Sequence, residues 1–357
     1  MLYKAVMVAH KEDARPLDER RRDILKLIIR SYVASGEPVG SRTLAKFMDW
    51  RLSPATVRNI MADLEEAGYL TQPHTSAGRI PSEKGYRFYV DHLADSGKIR
   101  KSDQRYISRM LAESSTPEDV MLCASRLLST ISKNVGIVIA PPMAATLLKH
   151  IEFLDFGDGK LLVILVSKSG LLQRKLIRVA DRYTREELDK AGKYLVEKFA
   201  GKTLAQIRNE LLQMMQAERM LFDRMLSLLR TWGETLETEA NREGIYLQGT
   251  SNILSQPEFA DVERMRTLFQ MFEEKGRLVN ILNECISFNP PEGVRITIGS
   301  ESGVPNMRDF TLITSSYASN DRTTGFLGII GPTRMEYERG ISLVGYLGRV
   351  VGEMINA

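Results

Sequence analysis

Residues 53–68 read Ser53-Pro-Ala-Thr-Val-Arg-Asn-Ile-Met-Ala-Asp-Leu-Glu-Glu-Ala-Gly68. Serine is a good N-cap, proline suits the first helical position because its missing N–H costs nothing there, and glycine closes a helix. At about 100° per residue, Val57, Ile60, Met61 and Leu64 share one arc, whereas Ala55, Asn59 and Ala62 point the other way, flanked by Thr56 and Arg58. That outer face is short-chained and neutral to basic over its first half. Such a face can approach a DNA major groove closely while Asn, Thr and Arg bond to base edges or phosphates. Glu65 and Glu66 fall at the far end.

Upstream, residues 18–35 carry Ile24, Leu27 and Ile28 on one face with Leu25, Ile29 and Tyr32 beside them, and Gly36 is the stop. Ser41 caps a short second helix through Met48, with Leu44 and Phe47 expected inward. Downstream, Tyr69-Leu-Thr-Gln-Pro-His-Thr-Ser-Ala-Gly-Arg-Ile-Pro81 reads as two extended arms around a polar tip with Gly78 and Arg79, a wing. Three helices and a wing predict a winged helix-turn-helix DNA-binding domain over residues 17–94. The bland rival is a small helical domain that docks another protein. Candidate DNA-binding residues are Ser41 and Arg42, then Ser53, Ala55, Thr56, Arg58 and Asn59, then His74, Thr75 and Arg79. Asn59 and Thr56 are assigned to base edges, and Arg58 and Arg79 to phosphates.

The remaining sequence sets the frame. With 357 residues, 43% of them hydrophobic, the chain can fill two or three ordinary cores. Its 49 basic and 45 acidic residues leave a charge of only +4, so nucleic-acid binding must rest on a local patch. The longest lipid-like stretch, residues 135–148, is shorter than a membrane span and broken by Pro141-Pro142. No secretory signal is read at the N-terminus, so no membrane partner and a cytoplasmic location are expected. Cys123 and Cys285 are far apart, and His10, His74, His92 and His150 lack metal-ligand spacing, so neither a disulfide nor a metal or cofactor is expected. No catalytic constellation stands out. The glycines of residues 325–331 do not follow the dinucleotide fingerprint and are read as strand packing and a turn.

Along the chain, residues 1–16 read as a tail and residues 95–102 as a linker. Helices are expected over about 103–112 and 117–133, followed by strand-like runs at 135–140, 147–156, 160–166 and 171–179, with Gly157-Asp158-Gly159 as a hairpin. Strand-like runs resume at 294–299, 310–318 and 324–331, before an apolar helix over 341–355. The two β blocks, within residues 103–179 and 288–357, are expected to share one sheet, with residues 180–287 a mostly helical insertion. The class is thus α+β and multidomain. In the insertion, Leu204, Ile207, Leu211, Met214, Glu218, Leu221, Met225, Leu228 and Trp232 alternate three-four spacing. Leu211, Met214, Leu221, Met225 and Leu228 are candidate dimer contacts, with internal core as the alternative.

These strings also carry a resemblance. Asp18-Glu-Arg-Arg-Arg-Asp-Ile-Leu25, Glu37-Pro-Val-Gly-Ser-Arg42, residues 52–69, His74-Thr-Ser-Ala-Gly-Arg-Ile-Pro81, Gly85-Tyr-Arg-Phe-Tyr-Val-Asp91 and Phe326-Leu-Gly-Ile-Ile-Gly-Pro-Thr-Arg-Met-Glu-Tyr337 closely resemble the HrcA family of bacterial heat-inducible transcription repressors. The resemblance covers nearly the whole chain except residues 1–16. It implies a winged-helix domain, a GAF-like domain over residues 103–179 and 288–357, and an inserted dimerisation domain over residues 180–287. It further implies a homodimer that represses chaperone operons of the groE and dnaK type through an inverted-repeat operator, kept active by the GroEL chaperonin. The rivals are a regulator of similar shape that answers to a small metabolite and an enzyme with a DNA-binding appendage.

Overall fold

The structure, a computed structural model, describes residues 17–47, 52–74, 77–94, 99–141, 146–179, 182–204, 206–207, 210, 245–254, 293–303, 307–318 and 324–356. The expected seam residues Leu211, Met214, Leu221, Met225 and Leu228 lie outside these, as do Thr75, residues 1–16 and residues 95–98 of the expected linker.

The chain opens with α1 (Glu19–Ser35), α2 (Ser41–Phe47) and α3 (Pro54–Glu66). The Asp18 carboxylate caps α1 by accepting the Arg21 N–H, and Gly36 ends it at φ 73°. Ile24, Leu25, Ile28 and Ile29 of α1 are buried with Leu44, Val57, Met61 and Leu64. Phe47, expected inward, is instead 64% exposed. Leu44 and Ala45 are the buried pair of α2, and Phe47 lies roughly 110° around the helix from their midpoint. A short arm follows, β1 (Leu70–Thr71) antiparallel to β2 (Ile80–Pro81), then α4 (Glu83–Phe88), which runs on as a single π-type turn over Tyr89–Leu93.

The body contains a five-stranded antiparallel sheet. α5 (Lys101–Leu111) begins inside the expected linker, because its polar first turn is solvated while Ile107 and Leu111, four apart, are buried. α6 (Pro117–Ser132) starts on a reciprocal Thr116–Asp119 capping box. β3 (Val135–Ile139), β8 (Val294–Ile298), β9 (Phe310–Ala318) and β10 (Thr324–Pro332) join β7 (Ile245–Gln248) in the order β7-β3-β10-β9-β8. A small helix α8 (Thr250–Leu254) follows β7, and α9 (Tyr337–Asn356) ends the described chain. α6 and α9 pack against this sheet, burying Val138, Ile313, Tyr317, Leu327 and Ile329 with Met121, Val344, Leu347 and Val351. Gly325, Gly328 and Gly331 of β10 leave room for the Tyr317 ring, the Ile313 carbonyl and the Asn134 side chain, so they serve strand packing.

Two expectations are corrected. β4 (Leu148–Gly157), β5 (Lys160–Ser167) and β6 (Leu172–Arg178) form their own three-stranded antiparallel sheet rather than extending the body sheet. α7 (Arg185–Phe199) covers it, with Ile151, Phe153, Val163 and Leu165 packed on Leu188, Leu195, Phe199, Leu204 and Ile207. This unit spans the expected boundary at residue 180. Alternation in sequence fixes which face of a strand is buried but not which strand lies beside it. The second correction is β7, a strand of the body sheet inside the stretch read as a mostly helical insertion, which pairs with β3 at Ile137–Leu247 and Val138–Tyr246. Ile245, Tyr246 and Leu247 are apolar in succession, so the run displays no period of two. The Asp158-Gly159 turn does join β4 to β5, with positive φ at both residues (52° and 67°), as a two-residue hairpin requires. Among the described residues no helix is long and apolar enough to cross a membrane.

Among the described glycines of the body, the tightest backbone approach lies at Gly136, where a Cβ would stand 2.1 Å from the Ser125 carbonyl oxygen of α6. Backbone cannot yield as a flexible side chain does. Gly136→Ala is therefore expected to cost about 1–3 kcal/mol, lowering the urea midpoint of the body, and an unchanged midpoint would refute this packing.

Candidate nucleic-acid interface

The face of α3 is built by its cap and its core contacts. The Ser53 hydroxyl accepts the Thr56 N–H at 3.1 Å and lies 2.9 Å from Thr56 Oγ1. Val57, Met61 and Leu64 are buried against α1 and α2, which fixes the rotation of the helix about its axis. Ala55, Thr56, Arg58, Asn59 and Ala62 are consequently exposed. Ser53 is thus committed to capping, and Thr56 shares its hydroxyl with that cap while remaining on the outer face.

Charge on this face is set by what neutralises the acids. Asp63 is held by Arg21 at 2.7 Å, and Glu65 by Arg79 at 2.7 Å. The Asp63 hydrogen bond and the Asp18 charge push the Arg21 pKa up, so its cation is secure. Arg58 makes no ion pair among the described residues. It is the basic group that the outer face offers to an anion.

Arg79 differs from its expected place at the wing tip. It lies opposite Val39, exchanging backbone bonds of 2.9 Å with it, and its Nε donates to Glu65. Its role is to brace the arm against α3, with its charge largely offset. His74 does stand exposed at the tip, where its carbonyl accepts the Ala77 N–H at 2.9 Å and Gln72 Nε2 donates to the Ala77 carbonyl at 3.1 Å. Ser41 is half-buried at the first turn of α2, and Arg42 beside it is exposed. Lys46, one turn further along, is also exposed and was missed. The four-residue spacing from Arg42 was the available signal.

Elsewhere the described residues hold no group of three His, Cys, Asp or Glu placed to bind a metal. His150 is exposed in β4 opposite Val166, and the Cys123 thiol is half-buried, 3.6 Å from the Met110 carbonyl.

Comparison with known proteins gives a consistent set of likenesses. A sequence model of the family described as "HrcA protein C terminal domain" matches residues 118–341. The heat-inducible transcription repressor HrcA of Geobacter sulfurreducens is 43% identical over 342 residues, covering 95% of this chain and 98% of the relative. Its counterpart from Desulfitobacterium hafniense is 36% identical over 347 residues, with coverage of 95% and 98%. A solved structure of a hypothetical protein shares the fold at a TM-score of 0.60 and 21% identity, covering 95% of this chain and 98% of that one.

Proposed function

We propose, from the premise that this chain belongs to the HrcA family of heat-inducible transcription repressors, that residues 17–94 form a winged helix-turn-helix which lays α3 in the major groove of an inverted-repeat operator. The family is one of repressors, and no catalysis is assigned. One observation carries the reading. The outer face of α3 combines small side chains, an exposed Asn59 and an Arg58 that makes no ion pair among the described residues, while Asp63 and Glu65 of its far half are paired with Arg21 and Arg79. Arg42 and Lys46 add cations on α2, and His74 with Thr75 would meet the backbone from the wing. The five-stranded body is read as the GAF-like domain, the targets as chaperone operons of the groE and dnaK type, and the location as cytoplasmic.

Asn59→Ala and Thr56→Ala are expected to weaken operator binding by about 1–3 kcal/mol each while leaving non-specific binding nearly intact. Titrations of both duplexes decide the point, because equal losses on each would mean that these side chains read no bases. Arg58→Ala should reduce the salt slope by about one.

An inverted repeat calls for a two-fold assembly. The outer face of β4-β5-β6, away from α7, supports one. Leu154, Leu162 and Leu176 form one rung across the three strands, and Glu152, Ile164 and Arg174 form the next. Leu154 and Leu176 are exposed, the latter by 48%. Face-to-face packing about an axis parallel to β5 brings β4 over the partner's β6. Each Glu152 then meets the Arg174 of the partner subunit, and each leucine rung meets its copy. Leu162→Asp with Leu176→Asp should yield monomers in sedimentation. An intact dimer would move the interface elsewhere, with the Leu211, Met214, Leu221, Met225 and Leu228 seam first in line.

The heat response is read as competition for the GroEL chaperonin. Apolar surface such as this face is what a chaperonin captures whenever the assembly opens, and unfolded clients compete for the same site. Purified repressor should occupy its operator more fully with chaperonin and ATP, and less fully once an unfolded client is added. Occupancy indifferent to both would remove the chaperonin from the account.

A further inference from the structure

Among the described residues, the N-terminal unit is joined to the body by polar contacts at two separate places, neither of which involves α3. At the first, Arg30 of α1 donates to Glu338 Oε1 at 2.7 Å, and the Tyr89 hydroxyl donates to the same oxygen at 2.8 Å. Arg334 donates to the Val33 carbonyl at 2.9 Å, capping the last turn of α1 from the body side. At the second, the Arg87 guanidinium grips both oxygens of Glu301, the Nε bond measuring 2.7 Å, and donates to the Ile296 carbonyl at 2.8 Å. Glu83 accepts from both the N–H and the hydroxyl of Ser300 in the same turn. Between the two places Tyr337 lies buried against the rings of Tyr86 and Tyr89, with centroids 5.5 Å and 6.4 Å away. Burial pushes the Tyr89 hydroxyl up to about 12, so it remains a donor to Glu338 at any working pH.

One contact is a pivot, whereas two contacts with a packed ring between them fix an orientation. We propose that this clasp aims α3: Arg30, Arg87, Glu301 and Glu338 are positioning residues that set the direction of the reading face relative to the body, and with it the half-site spacing that a dimer accepts. The proposal rests on the reading of residues 17–94 as the DNA-binding unit. A head held only by its chain connection samples many directions, which lowers its effective concentration over the second half-site; a clasped head is preorganised for one spacing and phase. The guanidinium–carboxylate fork at Arg87 and Glu301 suits this role, because it fixes angle as well as distance.

The test uses the full chain and an inverted repeat selected by it from random duplexes. Affinities are measured at one salt concentration for that repeat, for a single half-site, and for the repeat with five base pairs inserted, about half a helical turn. Glu301→Ala with Glu338→Ala should lose about tenfold or more on the selected repeat, keep half-site affinity within about twofold, and lose most of the penalty for the insertion. Glu301→Gln with Glu338→Gln, which keeps side-chain shape but only one acceptor oxygen of each carboxylate, should fall between wild type and the alanine pair, and it supplies the same comparison if the alanine pair melts. Unchanged affinity and an unchanged insertion penalty would overturn the proposal, as would a half-site loss equal to the loss on the full repeat. A wild-type chain that selects no sequence would overturn the functional reading and this inference together. A wild-type chain that selects a repeat, with variants that behave as wild type, overturns the clasp alone.

Discussion

Burial of Tyr337 is the constraint on which the joined arrangement of the described chain depends. The residue is 1% exposed, its hydroxyl donates to the Thr333 carbonyl at 2.6 Å, and Thr311 Oγ1 lies at 3.1 Å. Burial holds the hydroxyl far above its ordinary pKa, so it satisfies these partners as a neutral group. The ion pairs around it are partly open to water, with Arg30 48% and Glu338 32% exposed at the side chain. Exposed pairs are worth about 0.2–1 kcal/mol each, against about 1.5–3 kcal/mol for a fully buried large apolar side chain. Packing of the tyrosines therefore supplies most of the adhesion between the N-terminal unit and the body. In the proposed clasp the charged groups supply its direction.

The same division of labour holds within the N-terminal unit. Val57, Met61 and Leu64 bind α3 to its neighbours, and because they occupy one arc they also decide which side chains are left for solvent. Arg21 and Arg79 then remove the acidic charge that would otherwise sit on the far half of that helix. The exposed face of α3 results from packing on one side and charge cancellation on the other, with Ser53 holding the first turn in place.

What was legible in the sequence follows from range. α3 was readable because its cap, first-turn proline, apolar arc and closing glycine all lie within sixteen residues. Most strand positions in the body were readable from alternation, and the Asp158-Gly159 turn from its composition. Assignment of strands to sheets was not, since β3 and β4 are sequence neighbours yet belong to different sheets. Phe47 misled because apolar character predicts a preference for burial, not its occurrence at the end of a short helix. Arg79 misled because Glu65, its partner, lies fourteen residues upstream on another element. The clasp was invisible for the same reason, as Arg30 and Glu338 are 308 residues apart. Candidate site residues could be named from sequence, whereas the partners that brace their elements required the fold.

Repression through an operator requires that the exposed face of α3 distinguish one DNA sequence from another. The most direct measurement is equilibrium binding of the purified chain, at one fixed salt concentration, to the DNA upstream of a chaperone operon from the same genome and to a shuffled duplex of equal length and composition. The account predicts tighter binding to the genomic DNA by about a thousandfold or more. Equal affinity for the two duplexes would contradict it.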